Sequence, residues 1–405
     1  MEAVLKNISL KIDKSDWQTV SFGDVVTEPR GTVKDLEAEG IEHVVGLEHI
    51  DPEDIHLRRS AGIEESTTFT KKFEKGDVLF GRRRAYLKKA AQTPFGGICS
   101  GDITVMRAKK EFLPELLPFV VNNDKFFDYA VKHSAGGLSP RVKFKDLANY
   151  QFLLPPKDQQ ARLASLLWAM DEMMEREVSL RDALNNSLHV QIENEIHGIS
   201  IFGKTINQIL EEAGQHLELI ELKKLGEFLK GRGITKSEVI ETGIPCVRYG
   251  ELYTLHDRII RKYGSCISEE SKTTSLRLKK HDVLFAGSGE TITDIGKSAA
   301  FIDDHEAYAG GDILIFRPYD MDGTYLGYLM NSQLVRQQLN KYGTGATVMH
   351  IYNSDLAKIM VPNISRDIQE VIGTKLELVS RSLFDVSANI SASKALLKSL
   401  INQIF

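Results

Sequence analysis

Four short motifs occur twice in this 405-residue chain, and both sets follow the same order. The two copies of each motif lie 203, 205, 210 and 209 residues apart, so the spacing changes little along the chain. The pairs are Gly40-Ile41 with Gly243-Ile244, Asp77-Val78-Leu79-Phe80 with Asp282-Val283-Leu284-Phe285, Gly101-Asp102-Ile103 with Gly311-Asp312-Ile313, and Asp146-Leu147-Ala148 with Asp355-Leu356-Ala357. Chance matches between common tripeptides would not preserve their order, so we interpret the chain as a duplicated half.

Each copy has the pattern of a mixed α+β domain. Short β-prone runs predict strands, a pattern at helical spacing follows them, and a glycine turn, a further strand and a proline end the copy. These features lie at 77–80, 103–106, 116–132 and Pro155-Pro156 in the first copy, and at 282–285, 313–316, 325–341 and Pro362 in the second. We predict a domain over residues 1–155 and a similar domain over 218–362.

A long helical pattern follows each proline stop, at 156–200 and 363–405, and residues 201–217 form a linker. In the second helix, apolar residues alternate steps of four and three, which is the pattern of a coiled-coil seam. Its members are Ile372, Leu376, Val379, Leu383, Val386, Ile390, Leu397, Leu400 and Ile404, with Ser393 as the polar exception. The first helix carries a similar stripe that Glu177 and Arg181 interrupt.

Each of these helices needs a partner, because a lone exposed seam of about 40 residues, roughly 60 Å long, would be insoluble. The simplest arrangement packs the two copies against each other in opposite directions. The predicted fold class is therefore α+β: two similar domains with short strands, separated by two long antiparallel coiled-coil helices. Helices of this kind would act as a ruler between the domains.

The formal net charge of −5 is distributed unevenly. Residues 18–155 carry 20 basic and 20 acidic side chains, and 218–362 carry 18 and 19, whereas 156–200 carry 4 and 8. The acidic excess therefore lies mostly in the connecting helix, and the balanced domains can still present a basic face to nucleic acid. Three cysteines without a CxxC pair, and no apolar run long enough for a bilayer, predict a cytoplasmic protein with no membrane partner.

The sequence contains no pattern typical of catalysis or metal binding. Gly296-Lys297-Ser298 lacks the earlier glycine of a P-loop, because Thr291 occupies that position. We find no Asn/Asp-Pro-Pro-aromatic loop, no H-E-x-x-H and no G-x-S-x-G. The histidines at positions 43, 49 and 56 are scattered through a predicted loop region and are expected at the surface. We predict recognition rather than catalysis, with no metal and no cofactor.

Basic residues in the first half suggest contacts with DNA. Five of the eight residues from Arg82 to Lys89 are basic and follow a predicted strand, and arginine can pair bidentately with guanine while lysine suits phosphate. Alternation in 139–145 predicts three further charges on one strand face. A solvated charge run and a lysine-guarded strand edge are the alternative interpretations. The candidates are Arg82, Arg83, Arg84, Tyr86, Lys88, Lys89, Arg141, Lys143 and Lys145.

The equivalent positions of the second half have different chemistry. The residues after Phe285 are small and polar where the first half is basic, and Thr347-Val348-Met349-His350 follows the later glycine turn. A shared scaffold with different tips is expected of two domains that read different sequences. The second-half candidates for DNA contact are Arg248, Tyr249, Ser288, Thr291, Lys297 and His350.

Almost the whole chain resembles the specificity subunits of type I restriction-modification systems. The resemblance is most specific in three segments: Gly76-Asp77-Val78-Leu79-Phe80-Gly81-Arg82-Arg83-Arg84-Ala85-Tyr86-Leu87, Cys99-Ser100-Gly101-Asp102-Ile103, and Leu154-Pro155-Pro156-Lys157-Asp158-Gln159-Gln160. The last segment is similar to the start of the family's central helix. Its second copy, Pro362-Asn363-Ile364-Ser365-Arg366-Asp367-Ile368-Gln369, departs from the pattern and keeps one proline and one glutamine.

The resemblance implies a bipartite DNA target. Each target recognition domain would read one half-site of double-stranded DNA, and the helices would fix the gap between them. Two methyltransferase (modification) subunits would dock on the helices, and restriction subunits would join the full complex. S-adenosylmethionine and ATP would bind those partner subunits, so this chain would be a non-catalytic component of phage defence.

Three alternative functions remain open at this stage. One is a specificity subunit of another restriction or phage-defence system, which neighbouring genes would distinguish. Another is a coiled-coil scaffold whose duplicated domains bind proteins, and salt-dependent DNA binding would exclude it. An enzyme with a novel site is a third alternative, without a convergent group of titratable residues to support it.

Overall fold

The computed structural model describes residues 12–64, 68–196, 218–289, 295–342 and 349–405. These residues form two compact units. Unit 1 contains the described residues up to Ser179 together with Ser387–Phe405, and unit 2 is Leu180–Val386. Both long helices therefore contribute residues to both units. The predicted linker over 201–217 lies outside the described residues.

Unit 1 is a mixed domain of short strands and helices. In chain order its elements are β1 (Gln18–Ser21), α1 (Phe22–Val25), β2 (Val26–Thr27), β3 (Val44–Val45), β4 (Lys71–Phe73), β5 (Val78–Gly81), β6 (Ala90–Gln92), β7 (Gly97–Cys99), β8 (Ile103–Ala108), α2 (Leu117–Val121), α3 (Asp124–Lys132), α4 (Phe144–Leu147) and β9 (Gln151–Leu154), followed by the long helix α5 (Lys157–Ile196). The sheets have the orders β2-β8-β5-β6, β3-β7-β4 and β1-β9. Strand β5 is antiparallel to both of its neighbours.

Unit 2 repeats this plan. Its further elements are β10 (Leu219–Glu221), β11 (Gly226–Lys230), β12 (Ile244–Val247), α6 (Glu251–Thr254), β13 (Arg258–Ile259), β14 (Ser265–Ile267), β15 (Leu276–Arg277), β16 (Val283–Ala286), β17 (Ser288–Gly289), β18 (Ser298–Ala300), β19 (Tyr308–Ala309), β20 (Ile313–Pro318), α7 (Gly323–Leu329), α8 (Gln333–Tyr342), β21 (Met349–His350), α9 (Asn353–Leu356) and β22 (Met360–Pro362), followed by α10 (Arg366–Ile404). The sheets have the orders β11-β20-β16-β18-β13, β14-β12-β19-β15, β10-β22 and β17-β21.

The repeated Asp-Val-Leu-Phe motif forms the central strand of each unit. Its residues are fully buried because the strand lies between two apolar clusters, and alternate side chains enter opposite clusters. Val78 and Phe80 belong to one cluster and Leu79 to the other. In unit 2, Val283 and Phe285 likewise belong to one apolar cluster and Leu284 to another. A continuous apolar run is therefore required at this strand.

The aspartate that begins this motif is buried and forms an ion pair with the equivalent arginine in both units. Asp77 accepts two hydrogen bonds from Arg107, at 2.7 and 2.8 Å. Asp282 accepts two from Arg317, at 2.8 and 2.7 Å. In each case the carboxylate also accepts a backbone N–H from three residues earlier, at 2.8 Å. These equivalent contacts confirm that the sequence repeat is a structural repeat.

The first turn of each long helix contains a buried glutamine that attaches the helix to its domain. Gln160 accepts the backbone N–H of Leu113 at 2.8 Å, and Gln369 accepts that of Asp322 at 2.9 Å. The side-chain amide of each glutamine donates to a backbone carbonyl five residues earlier. The one glutamine that the second copy retains is therefore the residue that holds the helix start.

The apolar stripes of the helices are buried within each unit. In unit 1, Leu167 of α5 shares a core cluster with Leu397 and Leu400 of α10. In unit 2, Leu188 of α5 shares one with Leu376 of α10. The described parts of α5 and α10 pack together, and the predicted fold class, with two similar domains and two long antiparallel helices, is confirmed.

Polar residues that interrupt the seam are paired with each other. Ser393 is the polar member of the α10 stripe, and Glu177 interrupts the α5 stripe. In unit 1 the Ser393 hydroxyl donates a hydrogen bond to the Glu177 carboxylate at 3.1 Å. Two of the three polar exceptions in the apolar stripes therefore contact each other.

The predicted continuous helices over 116–132 and 325–341 are wrong, because each is divided in two. In unit 1, Asn123 lies between α2 and α3, and its side chain accepts the Lys125 N–H at 2.8 Å as an N-cap. Ser332 lies between α7 and α8 in unit 2. An N-cap residue begins a new helix even where apolar spacing continues.

Side chains from a domain loop contact the long helix in each unit. His56 pairs with the buried carboxylate of Asp171 at 2.8 Å. In unit 2, Arg261 donates to Glu377 at 2.7 Å and to Ser380 at 2.9 Å, as its repeat equivalent Arg58 donates to Glu175 at 2.7 Å in unit 1. His56 was expected to be an ordinary surface residue, and this structural contact differs from that expectation.

We predict that removing the buried carboxylate in unit 2 strongly destabilises it. Asp282→Ala is expected to lower the free energy of unfolding by about 3–5 kcal/mol, because it removes the carboxylate that balances the Arg317 charge and leaves only the Arg277 carbonyl as an acceptor. Asp304, whose side chain is 81% exposed beside Lys280, provides a matched control, and Asp304→Ala should leave the midpoint of urea unfolding unchanged. Equal midpoints for the two variants would contradict this role.

The His56–Asp171 contact is expected to make unit 1 sensitive to pH. The hydrogen bond to Asp171 raises the pKa of His56 against the opposing effect of burial, with smaller contributions from the charges of Asp54 and Glu175. A raised folded-state pKa stabilises the fold below the unfolded value of about 6.5, and this stabilisation is lost as pH rises through the folded value. The melting-temperature difference between the unaltered protein and His56→Gln should therefore shrink from pH 5.5 to 8.5. A constant difference would exclude the effect.

Candidate nucleic-acid interface

The two basic segments of unit 1 lie side by side, although more than 50 residues separate them in the sequence. The backbone N–H of Arg84 donates to the carbonyl of Pro140 at 2.8 Å, and that of Val142 donates to the carbonyl of Arg82 at 3.0 Å. Arg83 and Arg141 face each other in an antiparallel bridge. The structure therefore brings two separate sequence predictions together into one basic surface.

The second of these segments is not the continuous strand that alternation predicted. Arg141 forms isolated bridges with Arg83 and Ala135, but Lys143 is the N-cap of α4, which contains Lys145. Helical backbone therefore replaces the two-residue alternation, and the three charges do not lie on one strand face. Lys143 and Lys145 remain exposed.

A carboxylate lies between the two facing arginines. Arg141 donates from Nε to Asp102 Oδ1 at 2.7 Å and from Nη2 to Oδ2 at 3.2 Å. Arg83 donates from Nη1 to the same Oδ2 at 3.4 Å, and from Nη2 to the Ser139 hydroxyl at 3.2 Å. The hydrogen bond from Arg141 and the charges of both arginines hold the pKa of Asp102 below its usual range. Asp102 was missed as a site residue, although it belongs to a repeated motif.

A short turn beside this pair presents an aromatic side chain to solvent. Arg84 and Lys88 adopt left-handed backbone conformations, with φ of 54° and 50°, and they flank the 3₁₀ helix Ala85–Leu87. Ala85 is buried, whereas Tyr86 is 55% exposed. Positive φ is costly for residues other than glycine and is concentrated at functional sites. This turn places Tyr86 and the exposed Arg84 on the same surface feature.

Two members of the basic run have other contacts, and a third is only partly exposed. Lys88 donates to Asp124 at 2.6 Å, and Asp124 also accepts from Asn402 of α10 at 2.7 Å. Lys89 donates to the backbone carbonyl of Leu47 at 2.7 Å. Arg82 is only partly exposed. These contacts hold unit 1 together, and a DNA contact by the three residues stays a prediction.

In unit 2, four of the candidate residues lie in one neighbourhood that includes the Ser288 carbonyl. Tyr249 donates to the Ser288 carbonyl at 2.5 Å, and Tyr253 donates to the same oxygen. Ser288 pairs with His350 across β17 and β21, and Lys297 donates to the Tyr253 carbonyl at 3.2 Å. Tyr253 was missed by sequence reasoning, although it lies four residues after Tyr249.

The remaining unit 2 candidates have different positions. The Arg248 backbone N–H donates to Glu251 at 3.0 Å, and its partly exposed guanidinium lies 3.8 Å from the same carboxylate. Glu251 is itself buried and accepts from Ser265 at 2.6 Å. Thr291 lies outside the described residues. Arg248 therefore lies near the Tyr249 cluster, whereas the position of Thr291 stays a prediction.

Two further properties concern the described part of the chain alone. No group of three or more His, Cys, Asp and Glu side chains there is arranged to hold a metal ion. Among the described helices, none combines the length and apolar character that crossing a bilayer requires.

Comparison with known proteins gives one consistent result. The type I restriction enzyme MjaVIII specificity subunit of Methanocaldococcus jannaschii is 21% identical over 383 residues, which cover 90% of this chain and 86% of the relative. The crystal structure of a type I restriction-modification S subunit from M. genitalium matches with a TM-score of 0.65 at 12% identity, and 98% of each chain is covered. No family model matches the sequence.

The chain resembles the specificity subunits of type I restriction-modification systems. A further solved chain, from a study of complex assembly and conformational transition in the type I restriction-modification system, has a TM-score of 0.55, 20% identity and 98% coverage of both chains. The predicted resemblance to specificity subunits is confirmed, and this chain shares its fold with the two solved structures.

We expect the two tyrosines of this specificity-subunit fold to be energetically coupled through the Ser288 carbonyl. Tyr249→Phe and Tyr253→Phe should each destabilise unit 2 by about 0.5–1.5 kcal/mol, because the oxygen keeps one donor. The double variant should cost more than the sum, since the partly buried carbonyl then loses both hydroxyl donors. Urea unfolding measures this, with Tyr319→Phe, whose side chain is 73% exposed, as the neutral control. Strict additivity would refute the coupling.

Proposed function

We propose that this protein is the sequence-specific DNA-binding specificity subunit of a type I restriction-modification complex. Each unit reads one half of a bipartite site, and the long helices set the gap and dock the modification subunits. The observation that carries the proposal is the contrast between a repeated scaffold and different tips. The buried Asp–Arg pairs are equivalent in the two units, whereas the loops after β5 and β16 are basic in one unit and small and polar in the other.

In unit 1, the reading surface consists of the side chains around the paired basic segments. Arg83 and Arg141 are 39% and 43% exposed, so their guanidinium groups can reach base edges while remaining held by Asp102. Exposed Lys143 and Lys145 suit phosphate contacts, which set position without reading sequence. Arg84 and Tyr86 extend the same surface from the left-handed turn.

In unit 2, the reading surface is less charged. The cluster around the Ser288 carbonyl offers hydroxyl groups from Tyr249 and Ser288, together with Lys297 and the exposed His350. Hydroxyl and imidazole groups can both donate and accept hydrogen bonds, so this surface suits a base pattern other than the one that arginine prefers. Two half-sites of different sequence follow from this difference.

We assign no catalytic step to this chain. Methylation with S-adenosylmethionine and ATP-driven restriction belong to partner subunits in this proposal, and the complex acts on DNA in the cytoplasm. Each unit contributes helix surface that the modification subunits can contact. The acidic excess of residues 156–200, with 4 basic and 8 acidic side chains, makes this helix a poor DNA ligand and leaves it for protein contacts.

Mapping methylated adenines tests this function. A bipartite motif should be methylated in a strain with this gene and should be unmethylated after its deletion. Replacing residues 18–155 with those of another specificity subunit should change one half of the motif and leave the other half and the gap unchanged. The proposal would be refuted if deletion of the gene left every methylated motif in place, or if the replacement changed both halves of the motif.

A further inference from the structure

Asp102 occupies an unexpected place for a carboxylate. The surface that we propose for DNA binding contains Arg83, Arg84, Arg141 and exposed lysines, and DNA presents a dense row of negative phosphates to it. A carboxylate there weakens phosphate binding, because like charges repel. Asp102 therefore needs a role that outweighs this repulsion, and its contacts indicate one.

Those contacts fix the orientation of one guanidinium group. Asp102 takes one N–H from Nε and one from Nη2 of Arg141, and the Ser139 carbonyl accepts from Nη1 at 3.3 Å. A guanidinium has five N–H donors, so one on each terminal nitrogen stays available. A pair of donors on adjacent nitrogens matches the O6 and N7 acceptors of guanine.

The backbone around this group is held as well. Arg141 exchanges two backbone hydrogen bonds with Ala135, at 3.0 and 2.9 Å, and the neighbouring Val142 donates to Arg82. Arg83 contacts both Asp102 and Ser139, which braces the carboxylate from the other side. A side chain that is ordered before binding loses less conformational entropy when it meets its ligand.

We infer that Asp102 is a positioning residue, which orients Arg141 for bidentate contact with a guanine in the half-site of unit 1. This inference rests on the proposed function and adds the identity of one base pair to it. The half-site read by unit 1 contains a G·C pair at which discrimination depends on Asp102. By neutralising part of the local charge, Asp102 also favours base reading over non-specific phosphate binding.

The duplication supplies a matched control at the equivalent position. Asp312 stands in the second Gly-Asp-Ile motif, but its side chain is 79% exposed and only approaches Lys230, at 3.8 Å. Asp312 has a φ of 62°, a conformation that asparagine adopts readily, so Asp312→Asn changes the charge without strain. The same substitution at both positions separates orientation of an arginine from a change of net charge.

The test maps adenine methylation in cells that carry the complete system with Asp102→Asn, Asp312→Asn or Arg141→Lys. As a first step, replacing residues 18–155 with those of another specificity subunit identifies which half of the motif unit 1 reads. Asp102→Asn should reduce discrimination at one G·C pair of that half-site by about tenfold or more, and the other half and the gap should stay unchanged. Arg141→Lys should relax the same pair, because lysine cannot form the two-point contact. Asp312→Asn should leave the whole motif unchanged.

The outcomes separate this inference from the proposed function. Absence of a bipartite motif that depends on the gene would refute the function itself. Full selectivity in Asp102→Asn, or a half-site of unit 1 without a G·C pair, would overturn the inference alone. If Asp102→Asn abolishes methylation and lowers the melting temperature of the purified complex, Arg141→Lys decides: relaxation at one G·C pair supports the inference, and an unchanged motif overturns it.

Discussion

Neither unit of this protein can complete its core from a continuous stretch of sequence. The core of unit 1 includes Leu397, Leu400 and Ile404 from the end of the last helix, and the core of unit 2 includes Leu188 and Ile192 from the central helix. These buried side chains depend on their partners, because burying them is favourable only where another apolar surface covers them. The duplicated scaffold therefore depends on long helices that each serve both units.

The sequence was sufficient to predict the repeat from motifs that recur in the same order, the central strands from short apolar runs, and the paired helices from regular apolar spacing. It was insufficient where the backbone changes conformation within a regular sequence pattern. Asn123 caps a new helix within a continuous apolar pattern, and Lys143 begins a short helix where charge alternation suggested a strand. The contact between His56 and Asp171 joins residues 115 positions apart, and periodicity carries no information about it.

In the candidate site, too, the sequence predicts some features and only the structure shows others. Composition identified Arg83 and Arg141 as separate basic residues, but only the fold brings both to one carboxylate, Asp102. Lys88 belongs to the same basic run, yet it pairs with Asp124 and helps hold the last helix. A charge run in a sequence therefore identifies a surface, whereas the contacts decide which of its members are ordered and which remain exposed.

The central claim is that two recognition units joined by paired helices read one DNA duplex. Inserting seven residues into both helices, at Ser179 and at Val386 where the units divide, keeps the seam in register and lengthens each helix by about 10 Å. Methylation mapping with this variant tests the claim most directly. We expect the gap of the bipartite motif to change by about three base pairs while both halves keep their sequence. An unchanged gap in an active complex would contradict it.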